Sequence, residues 1–286
     1  MAEILFPRTE VGGISLPRLI CGTNWVAGWS HRSPAADAKI KETHADTAEI
    51  CKMLEVYLQN GIDAVMCPFD MAPVVKRAVD ETEQKTGKHI IRIDTPIFNP
   101  DNTPEARREA EAAIRHSREM GAEFCLLHHA SVERLVNRLT KKIERLDDYT
   151  KMIRDAGMIP GLSAHMPELV VYSDENENDV ETYIQIYNAA GFLMQVEIET
   201  VNRIIRNAKK PVMTIKSMAA GRVTPFVGLN FSWATLRDCD MVTVGCFTEH
   251  EAAEDIEISF AALERRLPDL KGRSSPDKNQ VAVRQD

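Results

Sequence analysis

The strongest constraint in this chain is an alternation. A short run of apolar, often β-branched residues is followed by a longer segment with helical spacing, again and again. Pro17–Thr23 (PRLICGT) reads as a first strand. Asp46–Asn60 then places Ile50, Met53, Leu54 and Leu58 on one helical face, and Gly61 stops it. Ile62–Cys67 (IDAVMC) is a second strand. A helix over about 72–86 ends at Gly87, and His89–Thr95 (HIIRIDT) is a third strand. Thr103–Met120 is helical from its Thr-Pro start to Gly121, and Glu123–His128 (EFCLLH) is a fourth strand. Ser131–Ala156 reads as helix, in one piece or two, before Gly157; Ile159–Ser163 (IPGLS) is a fifth strand.

Residues 196–207 fit two periods. Val196, Ile198 and Thr200 alternate as a strand would, whereas Ile198, Val201, Ile204 and Ile205 recur as a helix would, ending in the basic run NRIIRNAKK. The helix is preferred. The sixth strand is then Glu181–Tyr187, the seventh Pro211–Lys216 and the eighth Met241–Gly245, after a helix around Phe231–Arg237. Glu249–Leu267 is a last amphipathic helix. Parallel strands need helical crossovers, and eight such units within 286 residues predict an α/β fold, a single-domain (β/α)8 (TIM) barrel. Residues 1–270 are assigned to the barrel. The polar, aperiodic stretch 271–286 is expected to be a disordered tail.

Composition narrows the partners. A net charge of −8 argues against a broad nucleic-acid surface, which needs clustered Lys and Arg. No apolar run approaches the roughly 20 residues of a membrane span, and MAEILFPRTEVGG lacks the basic region and apolar stretch of a signal peptide. The expectation is a cytoplasmic protein acting on a small-molecule substrate, with neither nucleic acid nor membrane as partner and its oligomeric state open. The six cysteines form no CxxC pair and read as reduced thiols in or near the core.

In a barrel of this type the chemistry sits at the C-terminal ends of the strands. Lys216 follows the apolar run VMTI, where an ammonium is expensive to bury without a partner. It reads as a Schiff-base amine, as a charge stabiliser for an anion, or as half of an ion pair with Asp94. His128 and His129 end the fourth strand. Period two should send their side chains to opposite faces, so that at most one enters the mouth and the other packs on the helical layer or hydrogen-bonds locally. His165, after GLSA, is an acid/base or metal-ligand candidate, or a loop histidine bonded to backbone. Gly221 and Arg222, just after Lys216, offer close backbone approach and a bidentate grip on phosphate or carboxylate. Neither a P-loop nor a GxGxxG is present.

VGGISLPRLICGTNW, CLLHHA, GLSAHMPEL, YIQIYNAAG, PVMTIKSMAAGRVTP and MVTVGCFTEHEAAEDIE together resemble the aldo/keto reductase superfamily over most of residues 11–258. The resemblance implies a TIM barrel and NADPH-dependent carbonyl reduction. It also implies a substrate-facing histidine at His128, with Gln185 and Asn188 matching on the sixth strand and Lys216 on the seventh. That family's reductase tetrad is Asp, Tyr, Lys and His. Here Met66 stands near the Asp and Met71 near the Tyr, and IRIDTP ends in Asp94 with no lysine. Without the tyrosine and lysine, hydride transfer lacks its acid. The loop GCFTEHEAAED is acidic where the family grips the cofactor phosphate with basic residues.

These readings favour a small-molecule enzyme whose chemistry has become non-redox, a lyase or isomerase acting on a hydroxy- or oxo-substrate. His128 would be acid/base, Lys216 an amine or anion stabiliser, and His165 and Asp94 would orient substrate or share proton transfer. Asn24, Trp25, Asp70, His129, Gln185, Asn188 and Arg222 are the expected substrate contacts. Two alternatives stay open: an NAD(P)H-dependent carbonyl oxidoreductase with a replaced proton donor, and a non-catalytic ligand-binding barrel. The sequence names no cofactor. NADP stays open through the resemblance, and a divalent metal is less favoured because no HxH or HExxH spacing joins the histidines.

Overall fold

The computed structural model describes residues 5–270, so the polar stretch 271–286 lies outside the described residues. The chain opens with a hairpin, β1 (Arg8–Val11) and β2 (Ile14–Pro17), antiparallel and turned by Gly12 and Gly13. Both glycines have positive φ, +56° and +83°, as a two-residue primed turn requires. There follow β3 (Leu19–Gly22), α1 (Asn24–Ala27), α2 (Pro34–Thr43), α3 (Ala48–Gln59), β4 (Ala64–Cys67), α4 (Pro73–Thr86) and β5 (Ile91–Asp94). Next come α5 (Pro104–Glu119), β6 (Phe124–Leu127), α6 (His129–Val132), β7 (Val136–Asn137), β8 (Lys142–Ile143), α7 (Leu146–Asp155) and β9 (Ile159–Ala164). The last third holds α8 (Glu168–Glu175), β10 (Thr182–Ile186), α9 (Ile198–Asn207), β11 (Val212–Ile215), α10 (Pro225–Thr235), β12 (Met241–Gly245) and α11 (Glu249–Glu264).

Eight of these strands, in the order β3-β4-β5-β6-β9-β10-β11-β12, close into one parallel barrel. The single-domain (β/α)8 expectation holds, and residues 198–207 are helical as preferred. Alternate residues of the strands fill the interior: Ile20, Met66, Ile93, Phe124, Leu126, Ile184, Met213 and Met241. Val11 and Leu16 of the hairpin join the same cluster and close the barrel at its N-terminal end. The opposite alternation packs outward, where Cys21, Val65, Cys67, Cys125, Leu127 and Leu162 meet the helices. Each such side chain removed from water contributes about 1.5–3 kcal/mol, and this burial holds the barrel shut.

Two segments depart from the sequence reading. Ser131–Ala156 is not continuous helix: a small antiparallel hairpin of β7 and β8 separates α6 from α7. Asn137 accepts from the backbone N–H groups of Leu139 and Thr140 at 3.1 and 3.2 Å, and Lys141 takes a left-handed φ of +53°. That local capping outcompetes the helical periodicity of the segment. The leading hairpin is the second departure: Gly12-Gly13 between apolar residues is the signature of such a turn, and residues 8–17 pair as two strands around it. All six cysteines are free; Cys21, Cys67, Cys125 and Cys246 are buried, and Cys51 and Cys239 are half-buried. Among the described residues no helix is long and apolar enough to cross a membrane.

Gly161 is required by packing. A Cβ there would come within 2.7 Å of Leu126 Cγ and 2.8 Å of the Thr182 carbonyl oxygen. Gly161→Ala should therefore lower the unfolding free energy by about 1–3 kcal/mol in urea denaturation. An unchanged midpoint would contradict this packing.

Candidate active site

A cavity of about 800 Å³ opens at the C-terminal ends of the barrel strands. Its wall takes Thr23 and Asn24 after β3, Pro68 after β4, Thr95 after β5, His128 after β6, His165 after β9 and Lys216 after β11. Trp25 and Trp29 add apolar surface, and Trp25 lies against Gly245, where a Cβ would approach its Cδ1 to 3.3 Å.

Lys216 reaches this cavity because its backbone breaks the strand rule. Met213 and Ile215 face the barrel interior, so strict alternation would turn the next side chain toward the helices. Lys216 instead adopts a left-handed φ of +64°, and its side chain lines the cavity. A lysine in this region costs on the order of 1–2 kcal/mol, which the surrounding structure must supply. Burial lowers its pKa from 10.5 to about 8, and no nearby carboxylate acts to raise it. The anticipated ion pair with Asp94 does not form.

The histidines gather opposite. The fourth barrel strand ends at Leu127, and His128 caps the helical turn α6, its Nδ1 accepting from the Ala130 N–H at 3.2 Å. That bond puts the ring proton of neutral His128 on Nε2. The expectation that His128 and His129 diverge is therefore corrected, because period two ends before them. Both line the cavity, with ring centroids 4.2 Å apart, and His129 stacks on His165 at 3.7 Å and 20°. Glu133 pins the His165 loop by accepting from the N–H groups of His165 and Met166 at 2.6 and 2.8 Å. Burial, then the neighbouring histidine and Lys216, drives the His128 pKa from 6.5 to about 4. Burial, then His129, Lys216 and other neighbours, drives that of His165 to about 3. His129 and His31 are lowered by burial as well.

Asn24, Trp25, His129 and Arg222 line the cavity, as expected of substrate contacts. Four other residues lie elsewhere. Asp94 alternates outward with Arg92 and accepts from the N–H groups of Phe69 and Thr95 at 3.0 and 2.9 Å, so it fastens the loop after β4. Burial raises its pKa. Asp70 is exposed and sits 3.4 Å from His116. Gln185 faces the helical layer, where its Nε2 donates to the Ile186 carbonyl at 3.3 Å. Asn188 staples its own loop: it accepts from Ala190 and Phe192 N–H at 3.2 and 2.9 Å and donates to the Phe192 carbonyl at 3.0 Å.

The cavity also contains residues the sequence reading passed over. His31 and Arg32 come from the loop between α1 and α2, which carries no periodic signal. Thr243 faces inward two residues before the end of β12, and strand alternation would have found it. Glu251, Glu254 and Asp255 of α11 form an acidic wall. Asp255 is buried, which raises its pKa to about 7, and Cys246 Sγ donates to its Oδ2 at 3.3 Å. Among the described residues no three His, Cys, Asp or Glu side chains converge as a metal site.

No family model and no curated protein matches this chain. Solved structures do. A Pseudomonas aeruginosa protein described as an aldo-keto reductase superposes with TM-score 0.66 at 13% identity, covering 92% of this chain and 99% of its own. An aldo-keto reductase from Klebsiella pneumoniae, solved in complex with NADPH, gives 0.58 at 13% identity, covering 98% and 94%. The aldose reductase of Giardia lamblia gives 0.54 at 12%, covering 89% of each chain. The chain thus has a TIM-barrel fold similar to that of these aldo-keto reductases, and at such identities the likeness shows the fold alone.

The neutral histidines set a pH dependence. The unfolded chain takes up protons below about pH 6.5, whereas folded His128 and His165 refuse them until about pH 4 and 3. Stability should therefore fall as pH drops through that window, by up to about 1.4 kcal/mol per pH unit for each histidine. In urea titrations from pH 7 to 4, His165→Gln should flatten this fall by roughly one histidine's share. An identical pH profile in the variant would contradict the assigned shift.

Proposed function

We propose that the protein is a divergent aldo-keto-reductase-like barrel that acts on a small oxo- or hydroxy-metabolite as a non-redox lyase or isomerase, with Lys216 as an imine-forming amine. The observation that carries this reading is the Lys216 side chain at the cavity wall, without a carboxylate partner and with a pKa of about 8. Near that pH about half of such amines are neutral and nucleophilic.

The steps balance without an outside oxidant or reductant. The Lys216 nitrogen adds to the substrate carbonyl carbon, and the carbinolamine loses water to give a protonated imine. That cation draws electrons from the adjacent bond. Loss of a Cα proton gives an enamine and, on reprotonation, an isomer. Cleavage of the Cα–Cβ bond beside a hydroxyl releases an aldehyde or ketone. Hydrolysis then returns the amine. His128, with its proton on Nε2, donates toward the carbonyl oxygen as a neutral polariser. The stacked His129–His165 pair accepts and returns the proton once an anionic substrate has raised their low affinity for it. Asn24, Trp25 and Arg222 orient the substrate. Asp94 fastens the loop after β4 and Asn188 the loop after β10, while Asp70 and Gln185 take no part in the chemistry.

A nicotinamide cofactor fits these residues poorly. By the resemblance, Met71 and Asp94 occupy the places of the reductase tyrosine and lysine, and the loop after β12 offers no Lys or Arg between Cys246 and His250. The cavity wall beyond it is acidic, with Glu251, Glu254 and Asp255. We derive no hydride step.

Borohydride reduction in the presence of a panel of small ketones, aldehydes and oxo acids tests the reading. A reduced adduct should appear on Lys216 by peptide mass spectrometry and vanish in Lys216→Met. Labelling spread over surface lysines, or tight NADPH binding by fluorescence, would contradict it.

A further inference from the structure

The carboxylates of α11 stand in the cavity wall without a counter-charge. Glu251, Glu254 and Asp255 follow one another at i, i+3 and i+4, which sets them on one helical face, and all three line the cavity. Like charges so placed repel. Glu251 and Glu254 are exposed, whereas Asp255 is only 3% exposed. Its Oδ2 accepts from the Cys246 thiol at 3.3 Å, and that sulfur lies 3.2 Å from the Tyr57 hydroxyl. Its Oδ1 has no hydrogen-bond partner among the described residues. Burial is the main cause that raises the Asp255 pKa to about 7; the thiol opposes it, Glu251 and Glu254 add to it, and no cation acts on the group. A carboxylate buried in this way is costly until a positive charge joins it.

A second polar group at this end of the cavity is also unmet. Thr243 is 7% exposed and lines the cavity, and its hydroxyl has no partner among the described residues. Buried hydroxyls are normally paired. The end of β12 ties these groups together. A Cβ on Gly22 would come within 3.0 Å of Thr243 Cγ2 and 3.3 Å of the Gly245 nitrogen. A Cβ on Gly245 would come within 3.3 Å of Trp25 Cδ1, and the next residue, Cys246, holds Asp255. Thr243, Trp25 and Asp255 are thus all fixed to residues 243–246.

We propose that this end of the cavity is a subsite for a primary ammonium group, with Asp255 as its carboxylate and Trp25 as its aromatic wall, so that the substrate is an amino-substituted oxo compound. The inference rests on the imine reading only for the carbonyl; the subsite itself rests on α11 and β12. An ammonium is a compact charge with three donors and no acceptor, which suits one open carboxylate oxygen and a hydroxyl. A guanidinium pairs best with two coplanar oxygens, and one of those on Asp255 is taken. An indole face adds its own attraction for a cation. A bare metal ion is less well served, since no three His, Cys, Asp or Glu side chains converge among the described residues. The two ends of the cavity stay apart. A carboxylate within about 4–6 Å of Lys216 would favour its charged form, yet burial alone acts on that amine. The ammonium and the carbonyl therefore belong at opposite ends of the substrate, and any acid group belongs beside the carbonyl, toward Arg222.

Calorimetric titration of the full chain with n-butylammonium chloride, in amine-free buffer at pH 8, tests the subsite with no carbonyl present. At that pH Asp255 is mostly ionised, and an alkylamine stays charged as a lysine side chain does. Butylammonium should bind saturably, and Asp255→Asn, which keeps an oxygen for the thiol, should weaken it by about tenfold or more. Glu254→Gln, at an exposed position where folding is not at stake, should weaken it by about two- to fivefold. Absence of saturable binding, an affinity unchanged in both variants, or n-butanol binding as tightly would each overturn the subsite. Butylguanidinium binding more tightly, or magnesium or potassium displacing butylammonium at equal concentration, would overturn its assignment to an ammonium. Butylammonium binding without borohydride trapping at Lys216 would sink the imine reading and leave the subsite standing. Trapping without butylammonium binding would do the reverse.

Discussion

One backbone conformation organises the mouth of this barrel: the left-handed turn at Lys216, with φ of +64° immediately after the seventh barrel strand. With the ordinary extended conformation there, the lysine would follow Thr214 toward the helical layer. The turn sends it into the cavity and starts a loop in which Ala219, Ala220 and Gly221 also have positive φ. Non-glycine residues hold such conformations only where the surroundings impose them. Here the packing of Gly228 against the Ser217 carbonyl, where a Cβ would come within 2.6 Å, holds the loop against α10. The strain therefore buys a cation in a place where nothing neutralises it.

The histidines around that cation share its burial, which is the main cause of their low affinity for protons, and the cation adds to it. Four histidines line the same cavity, and burial together with the positive neighbours keeps His128 and His165 neutral well below the usual imidazole range. A neutral imidazole can donate a hydrogen bond or stack at 3.7 Å without charge repulsion, as His129 and His165 do. Lys216 is left as the cavity base whose titration falls closest to neutrality on the alkaline side. The acidic face of α11, set across the cavity, gives the space two unlike ends and so favours a substrate with a defined orientation.

The barrel was legible in the sequence because its evidence is periodic. Eight apolar runs separated by helical spacing leave few topologies, and even the ambiguous stretch 198–207 resolved as helix. The site was legible only where chemistry coincided with strand ends, as at His128, His165, Lys216 and Arg222. Asp94 misled because a strand-end carboxylate looks the same whether it faces the mouth or fastens a loop. Gln185 and Asn188 likewise sit at the right register with the wrong face or the wrong bonds. The expected divergence of His128 and His129 failed for the opposite reason: the strand ends one residue earlier than the alternation implied, and a helical turn brings both rings to the cavity. Single φ values and loop trajectories, which decide these cases, leave no periodic trace.

The central claim is that Lys216 is a buried, unpartnered amine poised near neutral pH. It is tested most directly by an NMR pH titration of the lysine side chains, with Lys216→Arg used to assign the Lys216 signal. The account predicts a midpoint of about 8, well below the ordinary 10.5. A midpoint at or above the ordinary value would mean that Lys216 is solvated or ion-paired, and the amine chemistry would lose its basis.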